Sequence, residues 1–130
     1  MRILLDTNAY SSLMRGTRKL ILQVHSSKRV FLSTVVVGEL LYGFLYGSRR
    51  DDNLRRLNEF LQDHRVTVVP VSFTTAELFG RISAELRRKG SLIPSNDIWI
   101  AAHAMETGSS LLSYDPHFER VEGLDWQGLS

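Results

Sequence analysis

The chain has 130 residues, a formal net charge of +2 and no cysteine, with a pI of about 9.2. That length suits one domain over residues 1–130, burying roughly two-thirds of its unfolded surface without covalent staples. The absence of cysteine excludes disulfides, zinc ribbons, iron–sulfur clusters and thiol catalysis, and suits a reducing cytoplasm.

No charged leader followed by a long apolar segment and a cleavage site opens the sequence, so a cytoplasmic protein is expected. Ile3–Asp6 is predicted as the first strand. Asn8–Met14 and Lys19–Ser26 form a broken helical pair with Gly16 at the break. Val30–Ser33 is the second strand, and Thr34–Tyr46 a helix capped by Ser33 or Thr34. Together they make the most apolar stretch, yet it is short for a membrane span and contains Glu39 and two glycines. No membrane association is expected. In Asp52–His64, Leu54, Leu57 and Leu61 recur at helical spacing with arginines opposite. Thr67–Val71 is the third strand. Thr75–Lys89 carries Leu78, Ile82 and Leu86 on one stripe, and Gly90 stops it. Asp97–Thr107 ends at Gly108 in the same way. Ser110–Ser113 is the fourth strand, and a weaker fifth lies near Leu124–Trp126.

Short apolar runs alternating with longer amphipathic ones predict an α/β fold. The strands lack polar alternation, as expected when both faces are covered. The architecture is a three-layer α/β/α sandwich around a mostly parallel sheet of four to five strands. Arginine clusters at Arg49-Arg50, Arg55-Arg56 and Arg87-Arg88-Lys89 read first as solvated helix ends and faces, with phosphate contact as the alternative.

Four isolated acids stand where strands hand over to helices, or on the next turn: Asp6, Glu39, Asp97 and Asp115. Ligands of open parallel sheets bind outside the carboxyl ends of the strands. Singly, such acids are usually caps or turn residues, but Glu39 sits in an apolar helix and needs a reason to be there. Two carboxylates about 4 Å apart repel by roughly 4 kcal/mol at an effective dielectric near 20. Four together therefore require protonation or a cation. All-oxygen ligation favours magnesium, manganese or calcium, and magnesium commonly uses only one or two carboxylates directly. The chemistry implied is metal-assisted phosphodiester hydrolysis.

Four segments give those acids a recognisable setting: Leu4-Leu5-Asp6-Thr7-Asn8, Ser33-Thr34-Val35-Val36-Val37-Gly38-Glu39-Leu40, Ile93-Pro94-Ser95-Asn96-Asp97-Ile98-Trp99-Ile100-Ala101-Ala102, and Leu111-Leu112-Ser113-Tyr114-Asp115-Pro116-His117-Phe118. In this order and spacing the chain resembles PIN-domain proteins, and among them the VapC-type toxins of prokaryotic toxin–antitoxin pairs. The resemblance runs over essentially the whole chain. It implies a PIN-like fold and a Mg²⁺-dependent (or Mn²⁺-dependent) endoribonuclease. The family's four acids fall on Asp6, Glu39, Asp97 and Asp115, with Asp6 and Asp97 the foremost metal ligands. Thr7, Asn8 and Ser113 would support the ligands or touch phosphate. An RNA substrate, a VapB-like antitoxin and a homodimer are implied in the same way.

His117 is expected to cap the short segment before Phe118, with substrate contact as the alternative. His25, His64 and His103 lack metal-ligand pairing and are expected on the surface or in packing. Trp99 and Trp126 suit core or interface. Tyr10, Leu13, Tyr42, Phe44, Leu45 and Tyr46 form either core or a surface for the antitoxin or a second protomer. A PIN-fold nuclease outside toxin–antitoxin biology would use the same residues, and a non-enzymatic metal- or partner-binding α/β domain is the third reading. A receiver domain needs an acidic pair after the first strand and a lysine after the last, whereas Asp6 is single and Leu111–Asp115 has no lysine. A haloacid-dehalogenase-like phosphatase needs an aspartate where Asn8 stands.

Overall fold

Ile3, Leu4 and Leu5 are consecutive in a strand and all buried, so both faces of that strand are covered. The computed structural model describes residues 1–129 and places this strand, β1 (Arg2–Leu5), at the centre of one sheet. The chain continues through α1 (Thr7–Met14), α2 (Arg18–Ser26), β2 (Arg29–Ser33), α3 (Thr34–Tyr46), α4 (Arg50–Leu61), β3 (Val66–Val69), α5 (Phe73–Arg88), α6 (Ser95–Thr107), β4 (Ser110–Ser113), a 3-10 turn (Pro116–Arg120) and β5 (Trp126–Gly128). The strand order is β3-β2-β1-β4-β5, and every neighbouring pair is parallel. The result is an α/β/α fold whose sheet is wholly parallel rather than mostly so.

The chain leaves β1 toward β2 and β3, then crosses back to place β4 on the other side of β1. The gap between β1 and β4 is therefore a topological switch point, the usual place for a ligand in such sheets. Register fixes what meets there. Leu5 pairs with Leu32 on β2 and with Leu112 on β4. The next residue, Asp6, thus lies level with Ser33 and Ser113.

α6 runs close to the centre and buries Ile98, Ile100, Ala101, Ala102, His103 and Ala104. Its small residues let it lie close to β1, β2 and β4, while α5 packs outside it. Phe79 of α5 stacks on Trp99 of α6 at a centroid distance of 4.0 Å. Gly108 ends α6 with φ 65°, a left-handed conformation that costs a side-chain-bearing residue energy.

Several boundaries differ from expectation. α5 begins at Phe73, not Thr75, because Ser72 is the N-cap and Thr75 is its partner in a capping box. α4 spans Arg50–Leu61 rather than Asp52–His64, with Asp51 and Asp52 in its positive first turn. β3 stops at Val69 before Pro70, and β5 pairs two residues later than expected, with Trp126 opposite Leu111. Of the mixed aromatic set, Tyr10 is core at 2% exposure, while Tyr42 and Tyr46 stand out from α3 at 70% and 84%. No helix among the described residues is long and apolar enough to cross a membrane.

Candidate active site

Asp6 caps α1: one oxygen accepts the Ala9 N–H at 2.9 Å, and the other accepts a short hydrogen bond from the Ser113 hydroxyl. The second bond follows from the β1–β4 register, which sets the two residues side by side. Burial is the main force pushing the Asp6 carboxyl above its usual range. The bonds from Ser113 and Ala9 oppose it, and the negative charges of Asp97 and Asp115 add to it.

Glu39 reaches the same edge from α3. Its Oε1 accepts from Thr7 Oγ1 at 2.5 Å and its Oε2 from Asn96 Nδ2 at 3.3 Å. Thr7 and Asn96 lie in the first turns of α1 and α6, so the glutamate is strung between two helix starts. Asn8 is exposed and makes no side-chain hydrogen bond among the described residues, which leaves it facing solvent beside the site. An open hollow of about 590 Å³ adjoins Glu39, bounded by Val35, Gly38, Tyr42 and Asn96.

Asp97 sits in the first turn of α6, half-buried. Burial is again the largest influence raising its pKa, opposed by His117 and reinforced by Glu39 and Asp115. Asp115 caps the 3-10 turn by accepting the His117 N–H at 3.1 Å, and its own N–H donates to Ser113 Oγ at 3.0 Å. Electrostatic coupling thus joins all four acids, which come from four different parts of the chain.

His117, expected to cap the short segment before Phe118 or else to touch substrate, does not cap it, since Asp115 does. Instead its ring lies between two of the acids, with Nε2 2.8 Å from Asp97 and Nδ1 2.9 Å from Asp115. The approach to Asp97 is at ion-pair distance but off the ring N–H direction, and Nε2 has no aligned hydrogen-bond partner. One ligand atom from each of Asp97, Asp115 and His117 falls within 4.8 Å of the others. Asn96, like the contact of His117 with both acids, was not singled out from the sequence. The signal for both was adjacency: Asn96 directly precedes one acid, and His117 follows another by two.

Together these groups offer mostly hard oxygen donors with excess negative charge, and this suits a divalent cation. The Asp6 and Asp97 carboxyls are raised chiefly by burial, and the neighbouring carboxylates add to it. Such an edge can hold a cation and present it, with a water, to a phosphoryl group.

A family model described as "PIN domain" matches residues 3–124. Ribonuclease VapC1 of Haemophilus influenzae strain R2866 is 30% identical over 132 aligned positions, covering 98% of this chain and 97% of the relative. Ribonuclease VapC2 of H. influenzae strain KW20 is 34% identical over 127, covering 95% of each. Among solved structures, VapBC-1 from nontypeable H. influenzae superposes with a TM-score of 0.85 at 27% identity, covering 98% of each chain. VapBC2 from Rickettsia felis, bound to a DNA fragment from its promoter, gives 0.89 at 24% identity over the whole of both chains.

Proposed function

This chain belongs to the PIN-domain family, and we propose that it is a metal-dependent endoribonuclease, the toxin of a toxin–antitoxin pair. Four coupled acids converging at the switch point of a parallel sheet carry the chemical half of this reading. Likeness to the ribonucleases VapC1 and VapC2 and to VapBC assemblies supports the biological half. We place the protein in the cytoplasm, where RNA and an antitoxin partner are both met.

Asp6 and Asp97 are the first candidates to hold the cation, with Glu39 and Asp115 completing the set directly or through water. Mg²⁺ or Mn²⁺ suits these oxygen donors. When bound, such an ion polarises a phosphoryl oxygen and supplies hydroxide at neutral pH. The protein's part is to hold the carboxylates still. Ser113 and the Ala9 N–H orient Asp6, Thr7 and Asn96 orient Glu39, and the His117 ring lies against both Asp97 and Asp115. Asn8 is the exposed donor nearest the start of α1 for an incoming phosphate.

Tyr42, Leu45 and Tyr46 project from α3 at 70%, 62% and 84% exposure. We assign this face to the antitoxin, and a homodimer is expected to form elsewhere on the surface.

The reading is tested by titrating Mg²⁺ and Mn²⁺ calorimetrically into antitoxin-free protein alongside cleavage of total RNA. Asp6→Asn and Asp97→Asn should each lose ion binding and lower cleavage by at least about a hundredfold, the scale on which electrostatic catalytic groups act. Metal-independent cleavage that survives both changes would defeat it.

A further inference from the structure

About one helical turn along α1 from the acids, a second cavity of about 250 Å³ opens between α1, α3 and α4. Its polar lining is Tyr10, Ser11, Arg15, Arg49, Asn53 and Arg56, and no carboxylate lines it. The Arg15 backbone N–H caps α1, but its side chain makes no ion pair or hydrogen bond among the described residues. Arg56 donates to the Met14 carbonyl at 2.7 Å and forms no direct ion pair, although its charge reaches Asp52. Arg49 approaches only Asp52, at 3.4 Å, with both side chains substantially exposed. Such a pair holds little energy.

Tyr10 adds a separate observation. It is only 2% exposed, its ring is held edge-on by Phe60 at 5.5 Å, and its buried hydroxyl has no hydrogen-bond partner. Burial pushes the phenol up to about 12, with the Arg56 charge opposing. The hydroxyl therefore stays protonated and remains a donor. A buried donor without an acceptor costs free energy that a ligand can recover. An acceptor beside three guanidiniums is an anion, and planar guanidinium forks match phosphate oxygens.

We propose that this pocket binds a backbone phosphate of the RNA strand whose scissile bond lies at the acid cluster. The inference rests on the ribonuclease reading above and extends it to substrate positioning. Continuity favours RNA over an acidic peptide. Tyr10 stands four residues beyond Asp6, and Phe44 in the pocket wall stands five beyond Glu39 on α3. At 1.5 Å per residue these steps are about 6–8 Å along each helix. A strand leaving the acids between α1 and α3 would cross the pocket mouth. The acids repel a polyanion, so a cationic hold next to them is what a nucleic-acid substrate requires. Such a contact fixes register without reading bases.

The test uses the full chain freed of antitoxin and a fluorescein-labelled single-stranded RNA. Anisotropy in EDTA reads binding without cleavage, and cleavage in Mg²⁺ then gives kcat and KM. Tyr10→Phe removes a hydroxyl that bonds to nothing in the free protein, so its urea midpoint should not fall. Its RNA affinity should drop about tenfold, the worth of a hydrogen bond to a charged acceptor. KM should rise to match while kcat holds. Arg15→Gln should lower the slope of log affinity against log salt by about 0.7, one single-strand phosphate contact. Unchanged affinity and salt slope in both variants, in protein that cuts RNA, would overturn the pocket and leave the ribonuclease standing. Wild-type protein that neither binds nor cuts RNA would end both readings. Loss of polyglutamate binding with RNA affinity intact would assign the pocket to an acidic protein segment and overturn the proposal.

Discussion

His103 is fully buried in α6, and its two ring nitrogens face different partners. Nε2 lies 3.1 Å from the Pro70 carbonyl, which can only accept. Nδ1 lies 2.8 Å from Ser33 Oγ, whose lone pair already takes the Val35 N–H at 3.0 Å. The neutral tautomer with the proton on Nε2 satisfies every group. A second proton would have to displace the Ser33 hydroxyl hydrogen. Burial pulls the imidazole below its ordinary value, opposed by the Pro70 carbonyl and by Glu106. A lowered folded value means that the stability from His103 is present above its unfolded pKa of about 6.5. It is lost as pH falls through the folded value. We expect the Tm difference between wild type and His103→Gln to shrink between pH 7.5 and 5.0. A difference that stays constant by calorimetry would show the histidine to be indifferent to protonation. Of the two places expected for His103, surface or packing, the structure holds packing, but its partner on β2 lies 70 residues away and left no local signal. His117 was less legible. Its contact with Asp115 is visible in Asp115-Pro116-His117, although Asp115 and not His117 is the cap, whereas its second contact, to Asp97, depends on where α6 ends up.

At the scale of elements, periodicity located each helix, while chemistry at the ends set its limits. The Leu78, Ile82 and Leu86 stripe marks α5, and Ile82 and Leu86 are indeed its buried side. Its true start is decided by Ser72, which accepts the Thr75 N–H while Thr75 Oγ1 accepts the Ser72 N–H. The same Thr75 hydroxyl donates to Glu106 of α6 at 2.6 Å, so the cap also ties two helices together. Ser72→Ala should cost about 1 kcal/mol, measured as a lower urea midpoint with an unchanged m-value. A neutral result would mean that the Thr75–Glu106 bond alone secures the helix start. β5 was the faintest strand because it is three residues long and half-exposed, with little apolar run to announce it.

For the whole molecule, the acid edge is a place where folding works against electrostatics. Asp6 and Asp97 are both held above their normal carboxylate range, chiefly by burial. Folding therefore opposes their ionised forms, and a cation that binds only the folded state should offset this. At a concentration one hundred times its Kd, such an ion stabilises by about 2.7 kcal/mol. Calorimetry should show Tm rising with Mg²⁺ in wild type and staying flat in Asp97→Asn. The same variant without metal should melt above metal-free wild type, because one crowded charge has gone. A lower metal-free Tm would mean that the contact with His117 outweighs the repulsion.

The sequence alone determined the alternation of strands and helices, the absence of thiol chemistry, and the positions of Asp6, Asp97 and Asp115 at element ends and of Glu39 inside an apolar helix. These are local properties, written in spacings of two to four residues. Only the tertiary structure decided that Asp6 lies level with Ser113, that His117 stands between Asp97 and Asp115, and that the Tyr10 hydroxyl is left alone beside arginines from another helix. Those facts depend on parallel register and on helix placement across as many as 107 residues. A parallel sheet chooses its neighbours through long crossovers, so its strand order and the groups that meet at its edge are settled by packing of the whole chain.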